Sequence, residues 1–152
     1  VNKQECFCIL GPKGSGKTSL LDLITKAIYP TDGKIYFNGK ILNKHSLNDL
    51  SVGYFQNTKI YLLNDTIKRI VKFIITICSQ PDIIILDEPT VGMDVESKEK
   101  IWEAMDQIRK NRPNTILIIA TSSLEEALTL GDRIGILING HLECIGTPQE
   151  LE

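Results

Sequence analysis

Two kinds of apolar run alternate along the chain. "DIIIL" (82–86) and "TILIIA" (115–120) are unbroken and rich in β-branched residues, the pattern of parallel strands covered on both faces. Elsewhere apolar residues recur at helical spacing. Leu20, Leu23, Ile24, Ala27 and Ile28 run until Pro30 stops them, and Ile101, Met105 and Ile108 form a stripe after Asp94. "CFCIL" is a further short strand run, with Cys6 and Cys8 spaced to share one face. Asn38-Gly39 in "KIYFNGKIL" and Asn139-Gly140 in "GILINGHLECI" sit between β-prone segments, which predicts two hairpins. Ser123-x-x-Glu126 and Thr147-Pro148-x-Glu150 have the form of capping boxes opening helices. The predicted order is strand, helix, hairpin, strand, helix, strand, helix, strand, helix, strand, an added antiparallel strand, and a last helix. That is an α/β domain with a mainly parallel sheet and antiparallel hairpin additions. No repeat, linker or low-complexity tract divides residues 1–152, so one domain is expected.

Composition narrows the functions. A chain of 152 residues can bury roughly 68–70% of its unfolded surface without disulfides or metals. Its net charge of −2, with Lys and Arg dispersed, provides no footprint for nucleic acid. The four cysteines form no C-x-x-C pair and read as reduced cytosolic thiols. "IVKFIITIC" from Ile70 is interrupted by Lys72 and falls well short of the roughly 20 residues that span a bilayer, so the chain itself is expected to be soluble. It starts at Val1 without a leader pattern, as a piece of a longer protein would. His45 and His141 lack carboxylate or cysteine neighbours at ligand spacing and are read as structural, and Trp102 as a packing residue.

The candidate chemistry lies at two places. "GPKGSGKT", Gly11 to Thr18, fits G-x-x-x-x-G-K-[ST] between a predicted strand and a predicted helix. Gly11, Gly14 and Gly16 let backbone N–H groups close around phosphates, Lys17 reaches the β/γ oxygens, and the Thr18 hydroxyl can ligate Mg²⁺. The helix start adds its positive dipole end. The candidate nucleotide-binding set is therefore Gly11, Pro12, Lys13, Gly14, Ser15, Gly16, Lys17, Thr18 and Ser19. "IIILDE" places Asp87 and Glu88 at the C-terminal end of a buried strand, the edge where open α/β sheets bind ligands. Asp87 can hold Mg²⁺ through water, and Glu88 can take a proton from an attacking water.

With "GPKGSGKTSL", "GYFQN" and "ILDEPTVGMD" in that order, the chain resembles the ATP-binding cassette (ABC) family over nearly its whole length. "DVESKEKIW" and "SLEEALTLGDRIGILINGHLECIGTPQEL" fit as well, and "GMD" and "CIGTPQEL" look most like the cassettes of subfamily A lipid exporters. The resemblance implies a P-loop NTPase that binds ATP and Mg²⁺ at the cytoplasmic face of a membrane, beside the transmembrane domains of a transporter. It makes Gly11–Thr18 the Walker A loop and Asp87 with Glu88 Walker B. Gln56 becomes the Q-loop glutamine, a catalytic and metal-contacting residue, and Gly92, Met93 and Asp94 the D-loop that touches a partner cassette.

Four departures from the family pattern stand out. Gln56 and Asp87 are 31 positions apart, too close to hold the family's helical arm, so the helical subdomain is largely missing. "LNDTI" (63–67) occupies the place of the signature, and puts Asp65 where a partner's γ-phosphate would approach; like charges facing each other at an interface cost several kcal/mol, on the order of a lost clamp. Ser122 stands where the family has a catalytic histidine, and losing one such contact costs roughly 10²–10³ in rate. The family's adenine-stacking aromatic lies upstream of Val1, worth ~1–3 kcal/mol by analogy with base stacking. These departures disfavour self-dimerisation and leave an intact second cassette as the expected partner. The alternatives are a degenerate module that binds nucleotide without useful turnover, a truncated gene-model fragment, and a P-loop kinase or other nucleotide switch, against which the motif order argues.

Overall fold

The computed structural model describes residues 1–37, 39–41, 51–56 and 65–151. Its elements follow the predicted order: β1 (Cys6–Leu10), α1 (Lys17–Ile24), β2 (Tyr36–Phe37), β3 (Lys40–Ile41), β4 (Val52–Gln56), α2 (Asp65–Cys78), β5 (Ile83–Asp87), α3 (Val95–Asn111), β6 (Ile116–Thr121), α4 (Leu124–Leu130), β7 (Arg133–Ile138), β8 (His141–Gly146) and α5 (Pro148–Leu151). The six-stranded sheet has the order β4-β5-β6-β1-β7-β8, parallel throughout except for the antiparallel β7–β8 edge. β2 and β3 form a separate hairpin around Gly39, whose φ of 74° is a conformation glycine adopts without steric cost. Asn38 and His45 lie outside the described residues.

The unbroken apolar strands are explained by two covered faces. Ile84 and Leu86 of β5 join Cys6, Cys8, Leu117 and Ile119 under Phe73 of α2, Met105 of α3 and Leu130 of α4. Ile83 and Ile85 point the other way and pack with Ile9, Ile118 and Ala120 against Leu21 of α1. Every residue of β5 is buried, and each such isoleucine contributes about 1.5–3 kcal/mol relative to an exposed one. The four cysteines are free thiols, Cys6 and Cys8 sharing one face of β1 as their spacing predicts.

Two local expectations are corrected. The helical spacing through Ile28 overextends α1, which stops at Ile24 because the Thr25 hydroxyl turns back to the Leu21 carbonyl at 3.0 Å and Lys26 takes a left-handed φ of 60°. Ile28 is left exposed. The Ser123 box is only half formed: the Ser123 hydroxyl accepts from the Glu126 amide at 3.3 Å, but the Glu126 side chain is used elsewhere. At Thr147 the returning half is present, with the Thr147 amide donating to Glu150 at 2.7 Å.

Among the described residues no helix is long and apolar enough to cross a membrane. α2 carries apolar residues on two sides: Phe73 enters the core, while Ile67, Val71, Ile74 and Ile75 are exposed. The parallel arrangement matters most for the site, because β1, β5 and β6 all end at one edge, where Gly11, Glu88 and Ser122 follow directly.

Candidate functional site

The phosphate loop is shaped by contacts that only glycine permits. A Cβ on Gly11 would lie 2.3 Å from the Leu137 carbonyl oxygen and 2.6 Å from Ser15 Oγ. Gly14 and Gly16 have φ values of 83° and 101°, and Gly16 is the cap from which α1 starts. The loop is tied down at both sides: the Gly11 amide donates to the Thr121 carbonyl at 3.2 Å, and the Gly140 amide of the β7–β8 turn donates to the Ser15 carbonyl at 2.8 Å. The second hairpin therefore buttresses the loop, a role its sequence did not announce.

Lys17 is buried and curls back over the loop. Its ammonium donates to the carbonyls of Gly11 at 2.7 Å and Pro12 at 3.0 Å, and sits 3.3 Å from a Glu88 oxygen. The Thr18 hydroxyl donates to Asp87 Oδ2 at 2.8 Å, bringing the two proposed metal-holding residues together. Gln56 lies in register beside Asp87 on the neighbouring strand, at the exposed end of β4. Asp87 Oδ1 is buried and has no hydrogen-bond partner among the described residues. Burial lifts the Asp87 carboxyl above its usual range; the Thr18 bond and the Lys17 charge oppose this, and the Glu88 charge adds to it. A hydroxyl, a carboxylate with its second oxygen buried and a neighbouring amide make an all-oxygen donor set suited to a hard divalent cation.

Glu88 occupies a left-handed φ of 49°, which turns its side chain from the strand toward the loop. Its second oxygen accepts from both the amide and the hydroxyl of Ser122, each at 3.1 Å. Ser122 is thus brought to the site, and what it touches is the carboxylate. The Gly92–Asp94 turn begins α3, where Asp94 caps the helix by accepting from the Ser97 amide at 3.0 Å; the Ser97 hydroxyl first, and this amide bond after it, hold its carboxyl below the usual range. A cavity of about 750 Å³ is lined by Lys13, Gly14, Gly16, Lys17, Thr18 and Ser19 with Asp87, Glu88, Val91, Gly92 and Arg69. Pro12 and Ser15 shape the loop through the Ser15 amide's 3.2 Å bond to the Pro12 carbonyl.

Sequence reasoning missed three side chains here. Arg69 reaches the cavity from α2. Glu126, 1% exposed, accepts from the Thr90 hydroxyl at 2.6 Å and from Trp102 Nε1 at 3.1 Å, so Trp102 anchors a buried carboxylate as well as packing. Tyr54 donates to Asp22 at 3.2 Å, and its hydroxyl is pushed above its ordinary pKa by burial first and by Asp22 and Asp87 after it. Arg69 belongs to no short motif, Tyr54 stands two positions before Gln56 in "GYFQN", and Glu126 reads in sequence only as half of a capping box. His141 is exposed at the start of β8. Leu63 and Asn64 of "LNDTI" lie outside the described residues, as do the side chains of Asp65 and Thr66.

The family model described as ABC transporter matches residues 1–66. Curated relatives extend the match: ABC transporter A family member 4 of Arabidopsis thaliana is 29% identical over 197 residues, covering 97% of this chain and 21% of its own length. The chain is thus similar in sequence to ABC transporter nucleotide-binding domains. Member 12 of the same plant's A family is 28% identical over 201 residues, covering all of this chain and 22% of its own length. The chain spans about a fifth of the length of these curated relatives. In the member 4 alignment, 97% of 152 is about 147 residues set against 197 positions, so roughly 50 positions meet no residue of this chain. A deficit of that size agrees with the short connection between Gln56 and Asp87. Among solved structures, the ATP-binding cassette MJ1267 is similar in fold with a TM-score of 0.80 at 18% identity, over 99% of this chain and 83% of that one. The dimeric, post-hydrolysis cassette MJ0796, bound to ADP and Pi, gives 0.76 at 21% identity, over 97% and 87%.

Proposed function

We propose that this cassette binds Mg·ATP at Gly11–Thr18 and hydrolyses it slowly, as part of a subfamily A type, lipid-exporting transporter at the cytoplasmic face of a membrane. The observation that supports it most is the joining of Lys17, Thr18, Asp87 and Glu88 within one cavity, at 3.3 Å for Lys17–Glu88 and 2.8 Å for Thr18–Asp87. The subfamily rests on the A family relatives and on the "GMD" and "CIGTPQEL" wording.

In this reading Lys17 exchanges the Gly11 and Pro12 carbonyls for β- and γ-phosphate oxygens, while the loop amides and the start of α1 take the remaining negative charge. Thr18, Asp87 and Gln56 would hold Mg²⁺, which when bound neutralises charge on the phosphates. Once Lys17 turns to the phosphates, Glu88 becomes the base for the attacking water, oriented by the two Ser122 donors. Those donors spread onto Glu88 what a histidine would offer the phosphate, and serine carries no positive charge. The second reading, a cassette that holds nucleotide without useful turnover, is favoured by this Ser122 geometry and by the missing arm.

Single-turnover phosphate release, with light scattering on the same sample, tests both readings and the partner. The expected result is one Mg·ATP per chain, phosphate release slowed by a factor of roughly 10²–10³ and accelerated by Ser122→His, and a species that stays monomeric. Absence of any release in the native chain and in Ser122→His rejects the ATPase reading. A nucleotide-dependent homodimer would refute the lost-clamp account of residues 63–67.

A further inference from the structure

The nucleotide cavity has a wall that the phosphate loop does not build. Arg69, on the second turn of α2, is half-buried and lines the same space as Lys13, Lys17, Thr18, Asp87 and Glu88. Its Nη1 donates to the Val91 carbonyl, and a Cβ built on Gly92 would come to 3.7 Å from that nitrogen. The guanidinium is therefore braced against the loop that follows Glu88, at the Val91–Gly92 side of the cavity.

The charges in that cavity are unevenly shared. Asp87 and Glu88 bring two carboxylates, and Lys17 is engaged by one of them and by two loop carbonyls. A triphosphate brings more negative charge than a diphosphate, and brings it farther from the start of α1. Ser122 adds a hydroxyl there and no cation. Among the described residues, the other cations lining the space are Lys13, within the loop, and Arg69, outside it. A guanidinium carries five N–H donors in a fixed planar fork suited to phosphate, and among the described residues the bond from Arg69 to Val91 engages one of them. The Val91 anchor also fixes the fork before any ligand arrives, which reduces the ordering cost of binding.

We propose that Arg69 is a specificity-determining residue of the nucleotide site: an arginine supplied within the chain that pairs with the terminal phosphate of a bound nucleoside triphosphate and makes the site prefer triphosphate to diphosphate. This rests on the phosphate-loop reading above. An arginine acting in cis on the transferred phosphate is sound chemistry in phosphate-loop enzymes. Here the shortened connection from Gln56 to α2 leaves that helix to provide it. Because Arg69 holds Val91 and the phosphate at once, the Val91–Gly92 turn is placed to register which nucleotide is bound.

The test is competition calorimetry of Mg·ATP and Mg·ADP against the whole chain, its Arg69→Ala, Arg69→Gln and Arg69→Lys variants, and Lys17→Ala. The glutamine keeps a neutral donor for the Val91 carbonyl while removing the charge, so it separates anchoring from phosphate pairing if the alanine variant unfolds. The expected result is a tenfold or greater loss of ATP affinity in Arg69→Gln with ADP affinity changed less than twofold, and a partial recovery in Arg69→Lys. An unchanged ATP-to-ADP ratio, or an equal loss for both nucleotides, overturns the assignment while leaving the phosphate loop standing. Failure of the native chain to bind either nucleotide overturns the phosphate-loop reading, and Arg69's role with it.

Discussion

Lys17→Ala should weaken Mg·ATP binding at least a hundredfold, close to abolishing it in a calorimetric titration. Each hydrogen bond to a charged group is worth about 1.5–3 kcal/mol, and an ammonium serving two phosphate oxygens therefore accounts for two decades or more. The ammonium is buried within reach of the loop carbonyls and Glu88, so its loss also leaves the Glu88 carboxylate facing the phosphates without that positive charge between them. Both effects act on the ligand. Lys17 also braces the empty loop, so the ligand-free melting temperature of the variant serves as the control for a folding defect. Equal affinity in a folded Lys17→Ala chain would sink the assignment of Gly11–Thr18 as the phosphate site.

Glu126→Ala should cost about 3–5 kcal/mol of stability, a large part of the roughly 5–15 kcal/mol a domain of this kind has. The carboxylate is 1% exposed and accepts from Thr90 and from Trp102, so removing it orphans two donors and opens a void. A buried orphan costs about 1–3 kcal/mol, and the void adds to that. Trp102 would also lose its orientation over Lys98, whose ammonium lies 4.6 Å from the ring centroid. Glu126→Gln keeps the volume and one carbonyl acceptor, and its loss should be about half as large. Urea unfolding measures both. A change under about 1 kcal/mol in the alanine variant would show that the Thr90–Glu126–Trp102 link contributes little to the fold.

The element order was legible because each strand and helix carries its own periodicity. "DIIIL" reads as a strand buried on both sides, and in the sheet its residues alternate between two core faces. The phosphate loop and the Asp87–Glu88 pair were legible for a different reason: the chemistry demands particular residues at fixed spacing next to a strand end. What stayed hidden depends on residues far apart in the chain. The bond from Gly140 to Ser15 follows from how β7 lies beside β1, which no local pattern encodes. Glu126 looked like the second half of a capping box, because Ser123-x-x-Glu126 is satisfied in sequence; burial against Thr90 and Trp102 outcompetes the return bond. The end of α1 was overestimated since Ala27 and Ile28 continue the apolar spacing, whereas the Thr25 hydroxyl and the left-handed Lys26 stop the helix first. Arg69 carries no motif of its own beside "IVKFIITIC", and its approach to Val91 joins positions 22 apart in the chain.

In the proposed function Mg·ATP is held by the backbone of Gly11–Thr18, beside Asp87 and Glu88. A nuclear magnetic resonance titration of the isotopically labelled chain with Mg·ATP tests it most directly, since each amide reports on its own surroundings. Large shifts are expected for the amides of Gly14, Gly16, Lys17 and Thr18, smaller ones for Glu88 and Ser122, and none for Gly39 in the β2–β3 hairpin. Shifts that spare the loop, or that concentrate elsewhere on the surface, would contradict it.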